Sequence, residues 1–361
     1  MSDIRYWVGL SMVYDVGPVT GRKLLAAFGS PENVFQANTD DLLSLKGISR
    51  ERAGHIRKFC QWDEIEKYLG VMESKGIAAV PYQDNRYPEV LKNIEDAPLV
   101  LYMKGEYHPD DRFAIGVVGS RKHTAYGESV TQRIAGELSA AGFTVISGLA
   151  RGIDTLSHKS ALAAGGRTIA VLGSGPDVYY PAENRGLTER IASSGCVMSE
   201  FLPGTMPNKE NFPRRNRLIS GLSLGILVVE ATDNSGSLIT AGYALEQNKE
   251  VFAVPGNITS RNSEGTNKLI KQGAKIVLHT DDIIEELAPV LKGYIRTKQK
   301  ESVPLLGEED RLCMMLSREP KHVDLISRES GLSVNQLLNL LLSLELKGIV
   351  KQASGKRFYI A

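Results

Sequence analysis

Seven cations and one aromatic residue, Arg121, Lys122, Arg151, Lys209, Arg214, Arg215, Arg217 and Phe212, stand among turns built of small residues. Those turns are Gly119-Ser120-Arg121, Ser147-Gly148-Leu149-Ala150-Arg151-Gly152-Ile153-Asp154, Gly173-Ser174-Gly175, Ser235-Gly236-Ser237 and Val254-Pro255-Gly256, with the segment Phe212-Pro213-Arg214-Arg215-Asn216-Arg217 between them. Glycine lets a backbone approach a ligand closely, and a helix opening just after it offers N–H groups and the positive end of its dipole. Phosphate is the common target of such turns. A positive groove with an aromatic platform holds single strands of nucleic acid without sequence preference, because every nucleotide has a phosphate and every base a face to stack. In the alternative reading, some of these arginines tie loops to Asp154, Glu200 or Glu230 and Phe212 is core.

Other chemistries find less support. No stretch supplies G-x-x-x-x-G-K-[ST], and no G-x-G-x-x-G follows the first strand of the alternating region, so triphosphate hydrolysis and nicotinamide chemistry are disfavoured. His55, His108, His123, His158, His279 and His322 show no ligand spacing and read as surface or structural residues. Cys60, Cys196 and Cys313 are scattered and odd in number, which disfavours a disulfide framework and suggests buried structural thiols. The expectation is a binding protein with no catalytic residue, metal or cofactor.

The elements that must position these residues alternate. The apolar run Phe113 to Val118 ends at Gly119 and precedes helical spacing from about Tyr126 to Ala141, the pattern of a buried parallel strand followed by a helix. Further strands are expected at Phe143 to Ser147, Thr168 to Leu172, Cys196 to Ser199, Leu224 to Glu230, Val251 to Val254 and Lys275 to Leu278. The fold class is therefore α/β, a Rossmann-like, doubly wound and mostly parallel sheet, whose ligands lie outside the carboxyl ends of the strands. Ile77 to Gly105 reads as an irregular lead-in adding one or two edge strands.

Residues 1–75 read as a helical domain. Val16-Gly17-Pro18-Val19-Thr20 and Leu45-Lys46-Gly47-Ile48-Ser49 each precede a helix that starts with cations, Arg22 and Lys23 in one, Arg50 and Arg52 in the other. This resembles a tandem helix-hairpin-helix (SAM-like) unit, which contacts phosphates, and a helical docking module is the alternative. Residues 76–290 form the sheet domain and 291–304 a linker. Residues 305–361 carry a winged-helix pattern of helices followed by strand runs around Ser354-Gly355. Its would-be recognition helix has Asn335, Gln336, Asn339, Ser343 and Glu345 but no cation before Lys347, which favours protein contact or accessory DNA contact over base reading. The net charge of +1 places any nucleic-acid binding in a local cluster. No apolar run approaches a membrane span, and a cytoplasmic protein without membrane contact is expected.

The Gly119-Ser120-Arg121 turn with Thr124 and Tyr126-Gly127, the run SGLARGID, and Asp177-Val178-Tyr179-Tyr180-Pro181 with Asn184 together resemble the DprA/Smf family of DNA-processing proteins. So do Phe212 to Arg217, SGSLITAGYALEQNKEVFAVPG, and Gly265-Thr266-Asn267-Lys268-Leu269-Ile270 with Gly273-Ala274. The resemblance implies binding and protection of single-stranded DNA and loading of the RecA recombinase in natural transformation. By it, Arg121 would bind a phosphate beside Gly119 and Ser120, and Lys209 with Phe212 to Arg217 would form the opposite wall. The apolar Leu269, Ile270 and Ile276 at the far edge of the sheet domain suit either core packing or a homodimer contact, and the resemblance favours the homodimer. The competing enzyme reading is a nucleotide-processing Rossmann protein similar to the lysine-decarboxylase-like group, suggested by Ser235-Gly236-Ser237 and Glu246; its P-G-G-x-G-T signature is missing.

Overall fold

The computed structural model describes residues 3–291, 308–317, 320–346, 350–353 and 355–360. The linker expected over 291–304 lies, apart from Leu291, outside them, as do Ser354 and the stretch 347–349. The chain divides into two compact units, Met1–Leu287 and Ala288–Ala361.

The first unit opens with six helices, α1 (Ile4–Met12), α2 (Pro18–Phe28), α3 (Pro31–Gln36), α4 (Thr39–Leu43), α5 (Arg50–Arg57) and α6 (Trp62–Lys75). Ser30, Asn38 and Ser49 cap three of them by accepting the N–H of Asn33, Asp41 and Arg52, and proline opens two, where its missing N–H costs nothing. Both tryptophans lie here. Trp7 is buried, and the Trp62 ring packs edge-on to Tyr6, Phe35 and Phe59 with centroids 5.0–5.4 Å apart. Two of the four hairpin cations serve folding. Arg52 joins the hairpins by donating to the Asp15 carbonyl at 2.8 Å and the Gly47 carbonyl at 2.6 Å, and Arg22 donates to the Glu95 carbonyl. Lys23 and Arg50 remain exposed.

The lead-in gives β1 (Ile77–Pro81) and β2 (Val100–Gly105). The remaining elements alternate: β3 (Ala114–Val118), α7 (Ala125–Ala140), β4 (Thr144–Ser147), α8 (Ile153–Ala163), β5 (Thr168–Leu172), α9 (Arg185–Ser194), β6 (Cys196–Ser199), α10 (Asn211–Leu222), β7 (Gly225–Val228), α11 (Gly236–Glu246), β8 (Glu250–Ala253), α12 (Arg261–Lys271), β9 (Lys275–Ile276) and α13 (Thr280–Leu291). Among the described residues they form one sheet in the order β1-β2-β6-β5-β4-β3-β7-β8-β9, antiparallel only at β1-β2 and β2-β6. Alternation along β2 explains why helices and sheet form one unit. Leu101 and Met103 join the sheet core while Val100 and Tyr102 join the helical core, as does Leu99 just before the strand. Gly21 sits so close to Leu99 that any Cβ there would collide with its side chain. Along β5, Ile169 and Val171 pack toward α10 and α11, and Ala170 and Leu172 toward α9. Strands covered on both faces read as unbroken apolar runs, which is why the sequence shows them.

The second unit comprises α14 (Glu308–Met315), β10 (Lys321–His322), α15 (Val323–Ser330), α16 (Val334–Leu346), β11 (Val350–Ala353) and β12 (Arg357–Ile360). The strands pair in the order β10-β12-β11, a winged helix. Leu337, Leu341 and Leu344 bring one face of α16 onto Val323, Ile326, Val350 and Phe358.

The thiols differ from expectation. Cys196 is buried, but Cys60 is exposed and Cys313 half-buried, because each lies beyond the dense packing of the sheet. Among the described residues, no helix is long and apolar enough to cross a membrane.

Candidate nucleic-acid interface

Strands β3 to β6 progress to one side, and β7 then returns to the other side of β3, so the crevice at the switch in strand order opens between the loops after β3 and β7. A cleft of about 730 Å³ occupies this place. It gathers Gly119, Ser120, Arg121 and Lys122 from the β3 loop, and Ser235, Gly236 and Ser237 from the start of α11. Lys209, Phe212, Arg215 and Asn216 complete the predicted set that it contains.

The β3 loop is fixed by its neighbours. The Ser120 carbonyl accepts the first α8 N–H, that of Ile153, at 3.2 Å, so this helix start serves the loop. The Ser120 hydroxyl accepts the Lys122 N–H at 3.1 Å. Thr124 caps α7 and is held by Glu230, which accepts its N–H at 2.9 Å and its hydroxyl at 2.5 Å. Glu230 thus binds Thr124, where an arginine partner was one expectation. Gly152, with φ of +81°, lies against the Ser120 and Arg121 backbone, where only a residue without Cβ fits.

Arg121 is exposed and makes no ion pair among the described residues. Its guanidinium lies 5.4 Å from the centroid of the Phe212 ring, and Tyr180 tilts against that ring with centroids 5.8 Å apart. Cation and ring are thereby presented together on one wall.

The arginines of α10 divide by helical phase. Arg215 is buried, donating to the carbonyls of Gly148 and Val171 and to Asn216 Oδ1. Burial draws its pKa down to about 10, against the opposing pull of Asp154. Burial likewise pushes Asp154 above the usual carboxylate range, although Arg215 and the N–H groups of Ala150 and Gly148 favour its charged form. Arg217 is not in the cleft. It is buried, paired with Glu200 at 2.5 Å and with Asp96 at 3.0 Å, and so binds the lead-in to the sheet. Arg214 is exposed above the Phe201 ring and 3.4 Å from Glu200. Arg151 also stands outside the cleft lining, paired with Glu183 at 2.5 Å. Gly148 lies beneath Arg215 and contributes a carbonyl to it.

Sequence reasoning left several wall residues out of the site. Tyr180, Asp154, Thr232, Ile239 and Asn262 all line the cleft. Tyr180 adjoins a proline in a recognisable run, a signal that could have found it. Asn262, which donates to the Lys122 carbonyl at 2.9 Å, carried no local signal. For the dimer residues, Leu269 is in the sheet core, Ile270 packs against that core, and Ile276 is exposed on the edge strand β9. Among the described residues, no cluster of His, Cys, Asp and Glu could hold a metal ion.

Comparison with known proteins gives concordant matches along the chain. The family model described as DNA recombination-mediator protein A matches residues 78–288, a DprA winged helix domain matches 296–356, and a SAM-like helix-hairpin-helix tandem matches 9–61. Protein Smf of Synechocystis sp. is 34% identical, over 99% of this chain and 98% of its own. The DNA processing protein DprA of Bacillus subtilis is 42% identical, over 70% of this chain and 84% of its own. Among solved structures, DNA processing protein A from Streptococcus pneumoniae superposes with a TM-score of 0.67 at 35% identity, covering 79% of this chain and 99% of that one. The Helicobacter pylori protein, solved for its single-stranded DNA binding mode, has a TM-score of 0.54 at 29% identity, covering 59% and 96%. A family model spanning more than half the chain, with full-length relatives and a shared fold, establishes that this chain belongs to the DNA recombination-mediator protein A family, the DprA/Smf proteins.

Proposed function

We propose that the cleft binds single-stranded DNA largely without regard to sequence, and that the protein protects the strand and passes it to the RecA recombinase in natural transformation and recombination. One observation carries the reading: Arg121, exposed and without an ion pair among the described residues, stands over Phe212 beside Lys122 and Lys209. A guanidinium and two ammonium groups suit phosphates, and Phe212 with Tyr180 suits a base. The Helicobacter pylori relative, whose structure concerns single-strand binding, supports the same ligand. The RecA step and transformation rest on the family resemblance alone.

The role is binding, with no covalent chemistry, in the cytoplasm and as a homodimer; the exposed Ile276 on edge strand β9 is the surface feature that favours pairing there. Titration of a labelled single strand against the matching duplex tests the core of the reading. Much tighter binding of the single strand is expected, and equal affinities would overturn it. RecA filament formation on strands coated with this protein tests the second step, and sedimentation at micromolar concentration tests the dimer. Incubation with nucleoside monophosphates, expected to release no base, tests the absence of hydrolysis.

A further inference from the structure

Lys75 closes α6, and its ammonium lies 2.8 Å from Asp177 Oδ2 on the loop after β5. This ion pair connects the helical module to the sheet module within one compact unit. The Asp177 side chain is only 7% exposed. Its other oxygen accepts the Gly204 N–H at 2.7 Å. Gly204 belongs to the segment between β6 and α10, the segment that carries Lys209 and then Phe212 to the cleft wall. Two backbone bonds reinforce the hold: Gly175 donates to the Thr205 carbonyl at 2.9 Å, and Thr205 to the Leu202 carbonyl at 3.1 Å. Gly175 lies so close that a Cβ there would stand 2.9 Å from both Asp177 Oδ1 and the Gly204 nitrogen.

We propose that Asp177 is a positioning residue of the cleft: by holding Gly204 it sets the segment that presents Lys209 and Phe212, and through Lys75 it makes α6 a brace for that wall. The inference rests on the reading of the cleft as a single-strand site. Burial alone would push the Asp177 pKa up. The Lys75 ammonium and the Gly204 N–H outweigh it and hold the carboxyl below its ordinary value, so the brace is charged at neutral pH. Neither Lys75 nor Asp177 lines the cleft, so their contribution comes through preorganisation of the wall.

The test titrates a labelled oligothymidylate with the full chain at several salt concentrations. Lys75→Met should weaken binding by about fivefold, the upper scale for a partly exposed ion pair. Asp177→Ala should weaken it by about tenfold or more, because the Gly204 N–H also loses its acceptor. Both should leave the slope of log affinity against log salt unchanged, whereas Lys209→Ala should flatten it by about 0.7. Lys75→Arg should bind as the unaltered protein does, and Lys75→Met/Asp177→Ala should bind no more weakly than Asp177→Ala alone. Unchanged affinity in a folded Asp177→Ala variant, or a flattened salt slope, would overturn the proposal. Hydrogen exchange of the Gly204 and Thr205 amides, expected to be faster in Asp177→Ala, reads the anchoring without DNA. Unaltered exchange would overturn the brace, and failure of the unaltered protein to bind the strand would overturn the reading of the cleft.

Discussion

Arg215 and Asp154 grip Gly148 from its two ends: the guanidinium donates to the Gly148 carbonyl at 2.6 Å, and the carboxylate accepts the Gly148 N–H at 3.2 Å. The two side chains are thus coupled in the floor of the cleft through the backbone of the turn they support. Arg215→Met should cost about 2–5 kcal/mol, since it leaves the buried Gly148 and Val171 carbonyls without their donor and removes the positive charge that favours the ionised form of buried Asp154. Asp154→Asn added to it should recover part of that stability. Urea unfolding of the single and double variants measures both effects.

Arg121 predicts the opposite pattern. It makes no salt bridge among the described residues and has little core to support, so Arg121→Ala should leave the melting temperature nearly unchanged. Affinity for a single strand should fall by roughly 1–3 kcal/mol, the scale of a hydrogen bond to a charged group. The salt slope should flatten by about 0.7 for each phosphate that the guanidinium no longer neutralises. Titration and melting on one preparation check all three outcomes, and an unchanged slope with intact affinity removes Arg121 from the site.

A glycine packed beneath the β3 loop and one lining the cleft should behave differently. Gly152→Ala places a Cβ at positive φ against the Ser120 carbonyl and the Arg121 backbone, so both melting temperature and strand affinity should drop. Gly236→Ala meets nothing within 4 Å, and the protein should melt unchanged or slightly higher. If a strand approaches the start of α11, as proposed, that same Gly236 variant should bind it more weakly.

His158 gives a pH signature. The imidazole is fully buried, with Nδ1 2.7 Å from the Thr168 hydroxyl, and burial, with Arg215 adding to it, lowers its pKa to about 3. The unfolded chain takes up a proton near pH 6.5, and the folded one refuses it until about pH 3. This contribution to stability is complete above pH 6.5 and is lost as pH falls toward 3, at about 1.4 kcal/mol per pH unit. His158→Gln should therefore flatten the acid limb of stability against pH by about that slope. Denaturant midpoints between pH 4.5 and 7 decide it.

The sheet was legible because its strands are covered on both faces. The expected run Thr168 to Leu172 coincides with β5, and Phe113 to Val118 exceeds β3 by one residue. At the edge the pattern overran. Lys275 to Leu278 yields only Lys275–Ile276, because the Leu278 N–H turns away to the Asp282 carboxylate at 2.7 Å. The fate of each cation was not legible. Arg214, Arg215 and Arg217 look alike in sequence, yet α10 turns one outward and buries two, and Arg217 finds Glu200 and Asp96 on other segments. Such pairings depend on tertiary neighbours, which no local spacing encodes.

The confinement of Trp7 and Trp62 to the helical core gives the protein a built-in optical label. Light absorbed by indole alone excites that module and leaves Tyr180 and Phe212, at the cleft, dark. A change in emission when a strand is added to full-length protein is then a message received at a distance from the groove, and a Lys75→Met chain is where that message should fade.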